Sequence, residues 1–187
     1  VTTATNQLTA LTGTYTLDPA HSRIGFVARH AMVTKVRGAF NDFEGTAVLD
    51  GDNPANSSAS VTIQVHSIDT RQAQRDDHLR SNDFLSMDEY PTITFVSTGA
   101  RQLDEENFEL TGDLTVRGVT RSVTIPFEFQ GAAQDPFGNS RVGFEGSVVI
   151  NRKDYGVNFN AALETGGVLV SDKITLEFEI SAIKNAA

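Results

Sequence analysis

The sequence predicts an all-β fold, an eight-stranded antiparallel barrel carrying one or two short helices. Three observations lead there. Apolar residues recur at every second position through most of the chain, the mark of strands with one buried face. The segments between them are short and rich in Gly, Pro, Asn and Asp, which suits antiparallel neighbours better than the long crossovers of parallel ones. The 187 residues, 39% hydrophobic and 21% charged, suffice for a single domain with a substantial core.

In order, residues 22–30 place Ile24, Phe26, Ala28 and His30 on one face. Residues 36–50 form a longer, looser run with Val36, Phe40 and Val48 opposite Phe43, Ala47 and Leu49, so a bulge or bend is expected within it. Val61, Ile63 and Val65 make a third strand, and Ile93 and Phe95 a fourth. Phe108, Leu110, Leu114 and Val116 lead through a tight Arg117-Gly118 turn into Val123, Ile125, Phe127 and Phe129. Val142, Phe144, Val148 and Ile150 follow, and Ile174, Leu176, Phe178 and Ile180 close the series. Residues 69–80 lack alternation, and Asp69 with Gln72 resembles a capping box, so a short helix is expected there. A second helical turn is expected near residues 31–35. Residues 1–12 read as a flexible N-terminal segment and 13–187 as one barrel, with Gly166-Gly167 the most flexible point of the stretch 151–172.

Such strands can pack as a two-sheet sandwich or close as an up-and-down barrel. Hairpin-like succession favours the barrel, because a Greek key needs longer crossings. An eight-stranded barrel is either just filled by its side chains or just able to hold one small ligand. The chain has twelve Phe and no Trp, and Phe26, Phe40, Phe95, Phe127, Phe144 and Phe178 lie on the apolar parity of separate strands, so they can converge on one space. Small neighbours such as Ala28, Gly38 and Gly146 leave room between the rings. A dry interdigitated core and an apolar ligand cavity both remain open on pattern alone.

Composition excludes several function classes. A net charge of −9 offers no basic field for nucleic acid. The absence of Cys removes disulfides, thiolate metal sites and Cys nucleophiles. His21, His30, His66 and His78 show neither HExxH nor paired ligand spacing, so no metal site is expected. There is no GxSxG elbow, GxGxxG or P-loop, and no acid–base pair is legible, so no catalytic residue is assigned. Arg71 and Arg75, four apart on the expected helix, could present guanidinium groups to a phosphate or carboxylate head, or simply decorate a surface helix in which Asp76 pairs with Arg80. His30 is the polar exception on an apolar parity, either a hydrogen-bonded core histidine or a head-group contact at a barrel mouth. No run approaches a membrane span, and residues 1–14 show neither a charged start nor an apolar run. The expected location is therefore the cytoplasm, or the periplasm or exterior if the chain has been processed.

The run Tyr15-Thr16-Leu17-Asp18-Pro19-Ala20-His21-Ser22-Arg23-Ile24-Gly25-Phe26 resembles the opening of the YceI family. So do Ser67-Ile68-Asp69-Thr70, Arg75-Asp76-Asp77-His78-Leu79-Arg80-Ser81-Asn82-Asp83-Phe84 and Tyr90-Pro91-Thr92-Ile93-Thr94-Phe95, in that order. Further on, Gly112-Asp113-Leu114-Thr115-Val116-Arg117-Gly118 and Asn151-Arg152-Lys153-Asp154-Tyr155-Gly156 continue the match. The resemblance implies a lipocalin-like barrel whose apolar interior holds a polyisoprenoid or isoprenoid-quinone-like amphiphile, with no enzymatic activity and no required cofactor. Together with strand parity it nominates Phe26, Phe40, Ile63, Phe95, Leu114, Ile125, Phe127, Phe144, Val148, Leu176 and Phe178 as cavity wall. Parity alone nominates His30, Arg71 and Arg75 as the polar end. Two other readings stay in view: an enzyme acting on a prenyl or lipid-like substrate, and a packed barrel serving as an interaction module. Neither a nucleic-acid partner nor integral membrane insertion is expected, and a homodimer stays open.

Overall fold

A computed structural model describes residues 8–164 and 167–186. Eleven strands form one antiparallel sheet: β1 (Gly13–Leu17), β2 (Arg23–His30), β3 (Thr34–Phe40), β4 (Phe43–Leu49), β5 (Ser58–Gln64), β6 (Ile68–Asp69), β7 (Thr92–Gln102), β8 (Asn107–Val116), β9 (Val119–Gln134), β10 (Ser140–Asn151) and β11 (Lys173–Lys184). Six of them are halves of bent strands. β1 and β2 both pair with β11, Leu17 opposite Ala182 and Arg23 opposite Glu179, with a 3-10 turn at Pro19–His21 between them. β3 and β4 are likewise one strand broken at Asn41-Asp42, and β5 and β6 one strand broken at Val65–Ser67. Counted this way the sheet is an eight-stranded up-and-down meander, closed where β11 meets β1.

The breaks have local causes. At Asp18-Pro19 the proline cannot donate to a ladder, and the Asp18 carboxylate accepts from the Ala20 amide (3.1 Å), turning the chain. At Asn41-Asp42 the strand changes parity, so Phe40 and Phe43 are both buried while Val48 faces outward. The expected opposition of Phe40 and Phe43, with Val48 on the face of Phe40, is therefore corrected by a bend that the sequence pattern only hinted at. β8 and β9 are joined by Arg117 (φ 49°) and Gly118 (φ 74°), two left-handed residues whose twist matches that of the strands.

Three expectations change. The helix α1 spans Ala73–Arg80, with Gln72 as an N-cap that makes no side-chain cap bond, so Asp69 and Gln72 form no capping box. Asp69 instead accepts from the Arg71 amide (2.8 Å). The predicted Asp76–Arg80 pair does not form either: Asp76 is buried and accepts from the backbone and hydroxyl of Thr70, while Arg80 donates to Asp77 (2.9 Å). Residues 31–33 make a hairpin turn, not a helical one, and β3 begins at Thr34. Within the segment expected to be flexible, residues 8–10 are helical, and Leu8 and Leu11 border the barrel interior. Residues 1–7 and Gly166 lie outside the described residues.

The alternation of the meander sorts the connections into two ends. The β4–β5, β7–β8 and β9–β10 loops lie at one end, called the turn end, with the N-terminal segment. The β2–β3 and β8–β9 turns, α1 and the 152–172 connection lie at the other, the helix end.

Candidate functional site

The interior is not filled. One cavity of about 380 Å3 runs through the barrel, from Leu8, Leu11 and Tyr15 at the turn end to Leu79, Phe84, Tyr155 and Val157 at the helix end. That volume falls in the range of small-molecule pockets. Its wall contains Phe26, Phe40, Ile63, Phe95, Leu114, Ile125, Phe127, Phe144, Leu176 and Phe178, which strand parity aimed inward. Val148 does not border the cavity but packs, half-buried, against the same core.

The rings do not stand off the small residues as expected. Phe26 lies over Gly38, its partner across the β2–β3 ladder, so closely that a methyl group on Gly38 would overlap the ring. Phe127 does the same over Gly146, where an added Cβ would meet the ring at 2.7 Å. Glycine lets each ring lie along the barrel wall, which keeps lumen space free that an upright ring would occupy. Other ring contacts include Phe26–Phe40 at 5.8 Å, on the neighbouring strands β2 and β3, and Phe127–Phe178 at 5.9 Å, which reaches past β10 from β9 to β11; both are tilted.

At the helix end the wall is built around Arg152, only 5% exposed. Its Nε donates to the Ser171 carbonyl (2.9 Å), and Nη1 to those of Val157 (2.7 Å) and Phe159 (2.8 Å). Nη2 donates to the Val170 carbonyl (3.3 Å) and faces Asp172 at 3.9 Å. Burial lowers the guanidinium pKa and Asp172 opposes that shift. One buried cation thereby gathers both arms of the 152–172 connection through their backbone carbonyls, that of Val170 shared with the Asn160 side-chain amide (2.9 Å). Tyr155 beside it is 2% exposed, and burial raises its pKa, so the phenol stays neutral. Phe159 then meets two rings of the α1 region, His78 at 4.9 Å and Phe84 at 5.1 Å, and these touch each other at 5.0 Å. This three-ring cluster joins the two long connections across the barrel end.

The three residues expected at the polar end are not brought together around the cavity. His30 is exposed at the end of β2, opposite Thr34 and bridged to Val170. Arg71 is exposed, precedes the helix with a left-handed φ of 69°, and so does not share a helix face with Arg75. Arg75 is committed to Thr70, donating from Nε to its hydroxyl (2.7 Å) and from Nη2 to its carbonyl (2.7 Å). The polar residues that do border the cavity include Tyr15, Asp50, Glu109, Arg152 and Tyr155. Tyr15 was discoverable, since Tyr15 and Leu17 alternate with Thr14 and Thr16. Arg152 was not, because nothing in its neighbourhood marks an arginine as buried. Among the described residues, no cluster of three or more His, Asp or Glu could hold a metal ion.

Against known proteins, the YceI-like domain matches residues 15–182. A UPF0312 protein of Staphylococcus aureus is 40% identical over 169 residues, covering 90% of this chain and 95% of the relative. Among solved structures, BcnA of Burkholderia cenocepacia superposes with a TM-score of 0.78 at 26% identity, covering 88% of this chain and 98% of its own. A polyisoprenoid-binding domain from Saccharophagus degradans, at 14% identity and a TM-score of 0.69, covers 91% of this chain and 98% of its own. At that identity the likeness is one of fold.

Proposed function

This chain belongs to the YceI-like family, and from that premise we propose that it binds one long-chain isoprenoid lipid, polyprenyl or quinone-like, without chemically changing it, for storage or transport. The observation that carries the reading is the apolar cavity reaching from Leu11 at one barrel end to Val157 at the other. A linear hydrocarbon chain fits such a lumen better than a compact polar molecule would, since nearly every lining side chain is apolar. The resemblance of fold to a domain described as polyisoprenoid-binding adds support. Burial of several hundred Å2 of lipid at ~25 cal/mol per Å2 contributes on the order of 10 kcal/mol before the costs of association.

Organic extraction of the purified protein should release a prenyl lipid, and the emptied protein should take up a polyprenol or an isoprenoid quinone, seen as a single adduct by native mass spectrometry. Leu114→Trp, which enlarges a lining side chain, should abolish uptake while leaving the far-ultraviolet spectrum unchanged. An empty extract combined with no uptake by the wild-type protein would end this reading in favour of a packed interaction module. Turnover of the added lipid would replace it with an enzyme.

A further inference from the structure

The β2–β3 hairpin is unlike the rest of the molecule. Between Arg23 and Phe40 it carries Arg23, Arg29, Lys35 and Arg37 and not one Asp or Glu, in a chain whose net charge is −9. Arg29 and Lys35 face each other across the ladder and are both exposed. Among the described residues, the only side-chain hydrogen bond of Arg29 goes to the Val33 carbonyl (3.4 Å), and neither Arg29 nor Lys35 has a carboxylate within ion-pair reach. Arg37 reaches Glu177 only at 3.8 Å. The tip joins these cations to exposed apolar surface, Met32 at 56% and Val33 at 73%.

The tip is held in that form. Ala31 (φ 51°) and Met32 (φ 60°) are both left-handed, a conformation in which Gly or Asn would be the relaxed choice. The Val33 amide closes the turn onto the His30 carbonyl (3.1 Å), and the Ala31 amide is tied to the Leu169 carbonyl (2.8 Å) of the 152–172 connection. Strained backbone that presents methionine and valine to solvent asks for a reason beyond the fold. The cations alone have a simpler one: residues 34–38 pair only with β2, because β6 reaches no further than Ala39 and Phe40, and charge on an open edge discourages strand addition. That account leaves the apolar tip unexplained.

We infer that the β2–β3 hairpin docks the barrel on an anionic lipid surface, Met32 and Val33 entering the interface and Arg29, Lys35 and Arg37 meeting the head groups. An apolar tip backed by a collar of exposed cations is the combination that such an interface rewards. The basic element is the hairpin itself: the loops of the opposite end carry Asp50, Asp52, Asp104, Glu105, Glu106 and Asp135, and the connection that follows α1 carries Asp83, Asp88 and Glu89, all of which an anionic surface repels. Docked this way, the barrel presents to the membrane the end where Val170, a lining residue, is bridged to His30. The purpose of docking rests on the lipid-binding reading, but the docking itself is measured with no cavity ligand involved.

The chain has no Trp, so a single introduced indole reports its own surroundings. Val33→Trp should show blue-shifted emission when vesicles of phosphatidylcholine and phosphatidylglycerol in equal parts are added, and the protein should float with them. Phe137→Trp, at a still more exposed apolar tip among the acidic loops, should show no shift. Reversal of charge in Arg29→Glu with Lys35→Glu should weaken flotation roughly tenfold or more, as should high salt, while native mass spectrometry shows the cavity still taking up lipid. The proposal is overturned if Val33→Trp gives no shift, if Phe137→Trp shifts equally, if phosphatidylcholine alone binds as well, or if the shift follows protein concentration without vesicles, which would mark a contact between copies. Failure of cavity uptake with docking intact would instead count against the lipid-binding reading.

Discussion

The two ends of the barrel are closed by different chemistry. At the turn end three loops are each organised by one aspartate that accepts amides just ahead of it in sequence. Asp50 takes those of Asp52 and Asn53, Asp104 those of Glu106 and Asn107, and Asp135 those of Phe137 and Asn139. At the helix end the closure is made by groups far apart in sequence: Arg152 on Val157, Phe159, Val170 and Ser171, and Phe159 on His78 and Phe84. Local hydrogen bonds fix a hairpin wherever its residues occur. Contacts between distant segments hold only while both segments are in place, so the helix end is where the barrel can open without unfolding its sheet.

The sharpest way to break that contrast is to remove Arg152. Arg152→Ala strands the carbonyls of Val157, Phe159 and Ser171, while that of Val170 keeps the Asn160 side-chain amide, and should destabilise the protein by on the order of 3 kcal/mol. A shift in the urea midpoint would measure it, and hydrogen exchange should accelerate in residues 157–172 while the Asp50, Asp104 and Asp135 loops stay protected. A loss below ~1 kcal/mol, or equal acceleration at both ends, would mean that the buried arginine does not organise this end. Arg152→Lys should recover little, since an ammonium cannot span the carbonyls that the planar fork reaches.

A milder change tests opening without collapse. Phe159→Ala removes two ring contacts, each worth ~1 kcal/mol, from a half-buried position. The global stability should fall only slightly, whereas exchange of a fluorescent prenyl analogue should become several-fold faster. Unchanged exchange would place the ligand's route elsewhere, at the end bordered by Leu8 and Leu11.

The same contrast explains what could be read from the chain. Strand positions and the inward parity of Phe26, Phe95, Phe127 and Phe178 follow from period-two alternation, which is local. The turns followed for the same reason, because Asp, Asn, Gly and Pro act within a few residues. The bend at Asn41-Asp42 was half-legible: the looseness of residues 36–50 signalled it, but only the pairing of Gln64 with the Asp42 carbonyl (2.9 Å) shows that parity switches there. Parity misassigned His30, since β2 runs past the cavity by the time it reaches that residue. Arg71 was lost to a helix that starts two residues after it, at Ala73. Arg152 could not be placed at all, because its partners lie up to nineteen residues away in a segment without periodicity.

The smallest effect belongs to the turn end and is seen only in acid. Burial pushes the Asp135 carboxyl upward, but Arg141 Nε (2.8 Å), the Asn139 and Phe137 amides and the Asn139 side chain outweigh it and hold the pKa at about 2. The same guanidinium donates from Nη1 to Asp18 (2.6 Å) and lowers that carboxyl as well, tying the β1–β2 bend to the β9–β10 loop. An aspartate held below its unfolded value of ~3.9 stabilises the fold fully above that pH and loses its contribution as pH falls through the folded pKa. Thermal midpoints should therefore decline from about pH 4 to pH 2. Asp135→Asn should be less stable than wild type at neutral pH, with the gap narrowing across that window, and the first amides to exchange in acid should be those of the β9–β10 loop. A gap that stays constant from pH 7 to pH 2 would show that the Asp135 charge contributes nothing to holding this end.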